Sequence, residues 1–170
     1  MKAPGSYSYI ERTPAPYPGG CSCGEVRYTI DSEPLTVYAC HCTACQRSSG
    51  TAFTMAMLIN RTSFSVTQGE PTPYASQFAT GKAATGFMCH SCGTRLWRVG
   101  RKNTDLLLVR AGTLDQTSWL RPVAHLWTRS AQPWLTLPKD AALYETQPDG
   151  WQELISLWQA RNPAARDSSN

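Results

Sequence analysis

Seven cysteines in a chain of 170 residues fall into three tight groups: Cys21 and Cys23, then Cys40, Cys42 and Cys45, then Cys89 and Cys92. An odd number cannot close entirely into intramolecular disulfides, and the spacing within each group suits another chemistry. In an extended Cys-x-Cys, residues i and i+2 point to the same side, so both sulfurs reach one ion at about 2.3 Å. In Cys-x2-Cys the chain turns back on itself, and Gly93 after the last pair permits the backbone conformation such a turn commonly needs. These are the knuckles of thiolate zinc sites.

Seven ligands divide naturally into four and three. A four-thiolate zinc site is closed and structural, whereas three protein ligands leave a position open for water or substrate. Cys40, Cys42 and Cys45 lie so close together that one local turn delivers all three sulfurs to one ion. Cys21, Cys23, Cys89 and Cys92 then form the closed site by joining two distant loops. A zinc ribbon pairing Cys42 and Cys45 with Cys89 and Cys92 is the rival partition, and spacing alone leaves both open.

Other polar residues sit near these groups. His41 lies between two presumed ligands, so on extended backbone its ring points away from the metal. His90, inside the last knuckle, reads as solvent-exposed filler. His125, in an apolar strand-like run, is either a hydrogen-bonded core histidine or a catalytic acid or base. Arg47 and Ser48 follow the triplet directly, where a cation would meet a substrate carboxylate.

Short strands must position these groups. Residues 25–30 alternate, with Val26, Tyr28 and Ile30 on one face and Arg27 and Thr29 on the other. Further strands are expected over 35–39, 53–59, 64–67, 74–78, 84–88, 94–99, 106–110 and 123–127, separated by Gly, Pro and Asn turns. They imply a mainly β fold of meandering antiparallel strands. Residues 151–161 break the pattern: Trp151, Leu154, Ile155 and Trp158 follow helical spacing, and Asp149 with Gln152 resembles a capping box.

Composition bounds the remaining possibilities. With 41% hydrophobic and 16% charged residues the chain reads as globular, and no stretch approaches the roughly 18 apolar residues of a membrane span. The N-terminal residues lack the apolar segment of a secretory signal, so a cytoplasmic protein without membrane contact is expected. The formal charge of +4 is largely offset once thiolates hold two zinc ions. Arg95, Arg98, Arg101 and Lys102 read as a polar strand face and turn, not a groove for nucleic acid.

The runs Gly19-Gly20-Cys21-Ser22-Cys23-Gly24-Glu25-Val26-Arg27-Tyr28, Cys40 to Arg47 followed by Gly50, Phe87-Met88-Cys89-His90-Ser91-Cys92-Gly93-Thr94, and Gly112-Thr113-Leu114-Asp115 together resemble the glutathione-dependent formaldehyde-activating enzyme and centromere protein V family. The resemblance implies a β-tent-type fold with two zinc ions per chain. Cys21, Cys23, Cys89 and Cys92 would be structural ligands, Cys40, Cys42 and Cys45 would lie at the active site, and the resemblance favours the catalytic reading of His125; Arg47 and Ser48 are added from their position after the triplet. It implies a carbon–sulfur lyase acting on a small thiol such as glutathione and an aldehyde, as in S-hydroxymethylglutathione formation. The competing expectation is a zinc-stabilised binding module or glutathione carrier without catalysis. The domain expected on this basis spans residues 19–147, after an irregular lead-in over 1–18 and before a helix over 148–162 and a tail over 163–170.

Overall fold

The computed structural model describes residues 14–102 and 104–162; most of the expected lead-in and the whole expected tail lie outside them. Eleven strands and two α-helices occur among the described residues. In chain order they are β1 (Tyr17–Gly20), β2 (Arg27–Ile30), β3 (Thr36–Cys40), α1 (Thr43–Ser49), β4 (Thr54–Asn60), β5 (Phe64–Gln68), β6 (Thr72–Gln77), β7 (Ala83–Met88), β8 (Arg95–Gly100), β9 (Leu106–Arg110), β10 (Ala124–Leu126), β11 (Ala142–Tyr144) and α2 (Gln152–Arg161). The chain is mainly β, as its alternating apolar pattern predicts.

The strands form two sheets, one ordered β1-β2-β5 and the other β11-β10-β3-β4-β9-β8-β7-β6. Tyr28 and Phe64 from the small sheet meet Trp97 and Phe87 from the large one, with ring centroids 4.7 to 6.1 Å apart. Each such pair adds about 1 kcal/mol beyond the area it buries, so this aromatic cluster ties the sheets together. β3 is buried along its whole length, covered on one face by α2, whose Leu154 and Trp158 are buried.

Four expectations are corrected. Residues 17 and 18 of the lead-in belong to β1: Tyr17 and Gly19 point inward and Pro18 outward, and β1 is an edge strand, where a residue without N–H is tolerated. Gly19 has no room for a side chain, because a Cβ would lie 2.5 Å from the Tyr28 ring and 2.7 Å from the Thr113 carbonyl. The meander is broken by β10, which runs parallel to both β3 and β11. The chain after Cys42 is a helix instead of a simple turn. Asp149 makes no capping box, since Trp151 occupies the N-cap of α2 without a side-chain cap.

Candidate metal centres and flanking cavities

The first cysteine cluster joins two loops. Between β1 and β2 the Cys21 N–H donates to the Val26 carbonyl at 3.0 Å, and the Val26 N–H donates to Cys21 Sγ at 3.2 Å. Between β7 and β8 the Cys89 N–H donates to the Thr94 carbonyl and the Gly93 N–H to the Cys89 carbonyl, both at 3.0 Å. Gly93 has φ +70°, the left-handed conformation the turn requires. Ser22 N–H reaches Thr94 Oγ1 at 3.2 Å and fastens the loops together.

The sulfurs of Cys21, Cys23, Cys89 and Cys92 all lie within 4.8 Å of one another, with Cys21 to Cys23 at 3.5 Å and Cys23 to Cys89 at 3.7 Å. A tetrahedron with metal–sulfur bonds of 2.3 Å has edges of about 3.8 Å, so the four donors fit a thiolate-bound zinc. Ser22 and Thr94 hold the Cys92 thiol down to a pKa of about 5, which favours the ionised form such a site uses.

The second cluster is Cys40, Cys42 and Cys45, again within 4.8 Å of one another and each 4% exposed or less. Cys40 ends β3, Cys42 is the N-cap of α1 and accepts the Cys45 N–H at 3.3 Å, and Cys45 is the buried residue of that helix. Gly50 closes α1 in the left-handed conformation. Hydrogen bonds from Cys40 and Cys42, with a smaller contribution from Arg98, hold the Cys45 thiol far down despite burial, while Cys42, Cys45 and burial push Cys40 up. A divalent cation bound by the three would favour their ionised forms. This grouping, together with the closed cluster above, follows the four-and-three partition rather than the zinc ribbon.

Residues that the sequence did not single out brace this knuckle. Gln46 Nε2 donates to the carbonyls of His41 and Ser130, both at 2.7 Å, and Gln132 Nε2 donates to Gln46 Oε1 at 2.8 Å. His41 is fully buried, with Nε2 2.8 Å from Nδ1 of His125. The strand pairing that brings β10 beside β3 places His125 there. Burial, and secondarily His41, lowers the His125 pKa to about 4, so neither ring readily takes a second proton. The folded state then binds fewer protons than the unfolded one between pH 6.5 and 4. His125 contributes full stability above pH 6.5 and loses it as pH falls toward 4. Urea melts should therefore show the wild-type advantage over His125→Gln narrowing by about 3 kcal/mol from pH 7 to pH 4. A gap that stays constant with pH would dissociate His125 from acid sensitivity.

Two cavities open beside the three-cysteine cluster. The smaller, about 370 Å³, is lined by Cys42, Cys45, Ser48 and three arginines, Arg95, Arg98 and Arg110. The larger, about 650 Å³, is reached by Cys40 and is mainly apolar. Arg98 lines both. It is 8% exposed, stacks on the Phe78 ring at 4.8 Å and donates to the Gln77 carbonyl at 3.4 Å. The expectation that Arg98 lies on a polar outer face is thus corrected.

A β-bulge explains the placement. Met88 pairs with Arg95 but Phe87 pairs with Trp97, so Leu96 is the extra residue and Arg95 and Arg98 come to the same face. Arg95 donates to the Ser48 carbonyl and lies over the Tyr74 ring, which itself fills the space left by Gly86 on the neighbouring strand. Ser48 Oγ donates to the Cys45 carbonyl at 3.0 Å, whereas Arg47 is exposed on α1 and lines neither cavity. His90 is exposed.

Fold and site thus define a mainly β protein with two cysteine clusters fit to hold metal. The chain belongs to the glutathione-dependent formaldehyde-activating enzyme family, whose model matches residues 16–130, a span holding both clusters and all three arginines. A crystal structure of a Rhodobacter sphaeroides protein, a structural-genomics target, is similar to it at 21% identity and a TM-score of 0.47, covering 75% of this chain and 98% of that one. No curated protein matches the chain. Among the described residues no helix is long and apolar enough to cross a membrane.

Proposed function

We propose that the protein is a zinc-dependent carbon–sulfur lyase that joins a carboxylate-bearing thiol of the glutathione type to an aldehyde. The observation that carries this reading is the buried triplet Cys40, Cys42 and Cys45 set between an arginine-lined cavity and an apolar one. Cys21, Cys23, Cys89 and Cys92 are assigned to a structural zinc, and the triplet to a second. A zinc ion held by the triplet supplies positive charge that keeps an incoming thiol ionised near neutral pH, where a free thiol of pKa about 8.5 is only a few per cent thiolate.

The chain's own residues do the rest. Arg95, Arg98 and Arg110 bind the thiol's carboxylates, and their guanidinium forks fix its orientation. Ser48 lines the same cavity, so we keep it as a binding residue and replace Arg47 by these three. The burial of the cysteines excludes water from the reacting thiol. His125 acts as a positioning residue, holding His41 and through it the backbone between Cys40 and Cys42. The β-tent architecture is part of the same reading.

The test is magnetisation-exchange NMR between free formaldehyde and its glutathione adduct. Exchange should be accelerated most below pH 8.5, and the advantage should shrink as free thiolate becomes abundant. Cys42→Ser, verified by native mass spectrometry to have lost one metal, should lose the acceleration. Exchange as fast in that variant as in the wild type would sink the assignment, and no acceleration at any pH would leave a carrier or binding module.

A further inference from the structure

The larger cavity is too big for the smallest aldehyde. Formaldehyde has two heavy atoms and fills about 60 Å³ on the scale of liquid water, against about 650 Å³ here. A cavity of that size matches ligands with many more heavy atoms.

Its floor is built from one face of the large sheet. Pairing of Tyr38 with Ala56 and of Leu58 with Leu108 puts Tyr38 and Cys40 of β3, Leu58 of β4, and Leu106 and Leu108 of β9 on the same side. Phe78 and Trp151 supply walls, and the Trp151 ring packs against Tyr38 at 5.7 Å. Cys40 is the point where this apolar chamber meets the cysteine cluster, and Arg98 separates it from the arginine-lined cavity on the other side. A thiol held by its carboxylates in the smaller cavity and a carbon chain in the larger one would both reach the cysteine cluster, through Cys42 and Cys45 on one side and Cys40 on the other.

We infer that the aldehyde this site takes carries an apolar body of about six or more carbons, alkyl or aryl, seated on Leu58, Leu106 and Leu108. The inference rests on the thiol-addition reading above and names its second substrate. In the step, the thiol sulfur bonds to the carbonyl carbon, the π pair of the C=O bond moves to oxygen, and the thiol's proton ends on that oxygen. The product is a hemithioacetal, and nothing is oxidised or reduced. Shape and apolar contact select the aldehyde, since each methylene moved out of water into the chamber adds favourable transfer free energy.

The experiment compares formaldehyde, propanal and hexanal at fixed glutathione, each as the catalysed second-order rate constant divided by its own uncatalysed one. Hexanal should exceed formaldehyde in this ratio by about 30-fold or more, from roughly 0.8 kcal/mol per buried methylene with half the chain desolvated. Ala83→Trp, which adds bulk at an exposed position on the chamber rim, should lower the hexanal-to-formaldehyde ratio at least tenfold, and Leu106→Trp gives the same readout should the first variant fold poorly. Ligand-observed NMR with 1-hexanol, which cannot accept a thiol, should show binding that methanol lacks and that Ala83→Trp weakens. Acceleration confined to formaldehyde overturns the substrate class and leaves thiol addition standing. Acceleration of none of the three overturns the reaction itself, and a preference for hexanal indifferent to both tryptophan variants overturns the chamber as its seat.

Discussion

Replacing Cys89 by serine is expected to remove the zinc proposed for the closed cluster and to lower the melting temperature by about 10 °C or more. Cys89 is fully buried, and its backbone closes the turn that faces Cys21 and Cys23 across a gap bridged by Ser22 and Thr94. Structural zinc contributes roughly 10 kcal/mol or more in small metal domains, as much as the whole stability of a typical domain. The aromatic cluster between the sheets offsets part of that loss, since it forms without the metal. Even a remaining loss of about 4 kcal/mol lowers the melting temperature of a chain this size by about 10 °C.

Cys42→Ser should behave differently. Its knuckle stays pinned by Gln46 to the carbonyls of His41 and Ser130, and by the His41 N–H donating to the Leu126 carbonyl at 2.9 Å. The variant should lose the other zinc with a shift of only a few degrees. Metal analysis beside thermal melts decides the matter: equal destabilisation by the two substitutions would erase the division into structural and reactive sites.

The sequence carries much of this arrangement because the relevant signals are local. Strict alternation marks β2, where Tyr28 and Ile30 are buried in line with Val26 just before it, and an apolar run marks β9 over the very residues 106–110. The number and spacing of the cysteines narrow their grouping to two partitions, and the folded clusters take the four-and-three one. What escaped was non-local or disguised. β1 hides its period of 2 behind Pro18, which an edge position tolerates. β10 spans three residues and pairs with β3 across more than eighty positions of chain, so nothing near His125 announces His41 as its partner. Arg95 and Arg98, three apart in a strand, ought to point to opposite faces, and only the bulge at Leu96 turns both inward.

That bulge makes Arg98 the residue whose loss should cost the reaction most among the cations. Its guanidinium has five N–H donors, yet no carboxylate among the described residues pairs with it, and the one hydrogen bond it makes is long. A cation so buried is costly to the fold unless negative charge faces it. The cysteine cluster supplies part of that charge, through the influence of Arg98 on Cys45, and a bound substrate carboxylate supplies the rest. Arg98→Met keeps the apolar stem against Phe78 and removes only the fork, so the fold should hold and thermal stability should be unchanged or slightly raised. For glutathione, loss of a charge-assisted hydrogen bond should lower kcat/KM by about 10- to 100-fold. For 2-mercaptoethanol, which has no carboxylate, the loss should be several times smaller. An equal loss with both thiols would assign Arg98 to the charge of the cysteine cluster alone, and the carboxylate of the substrate would then rest on Arg95 and Arg110.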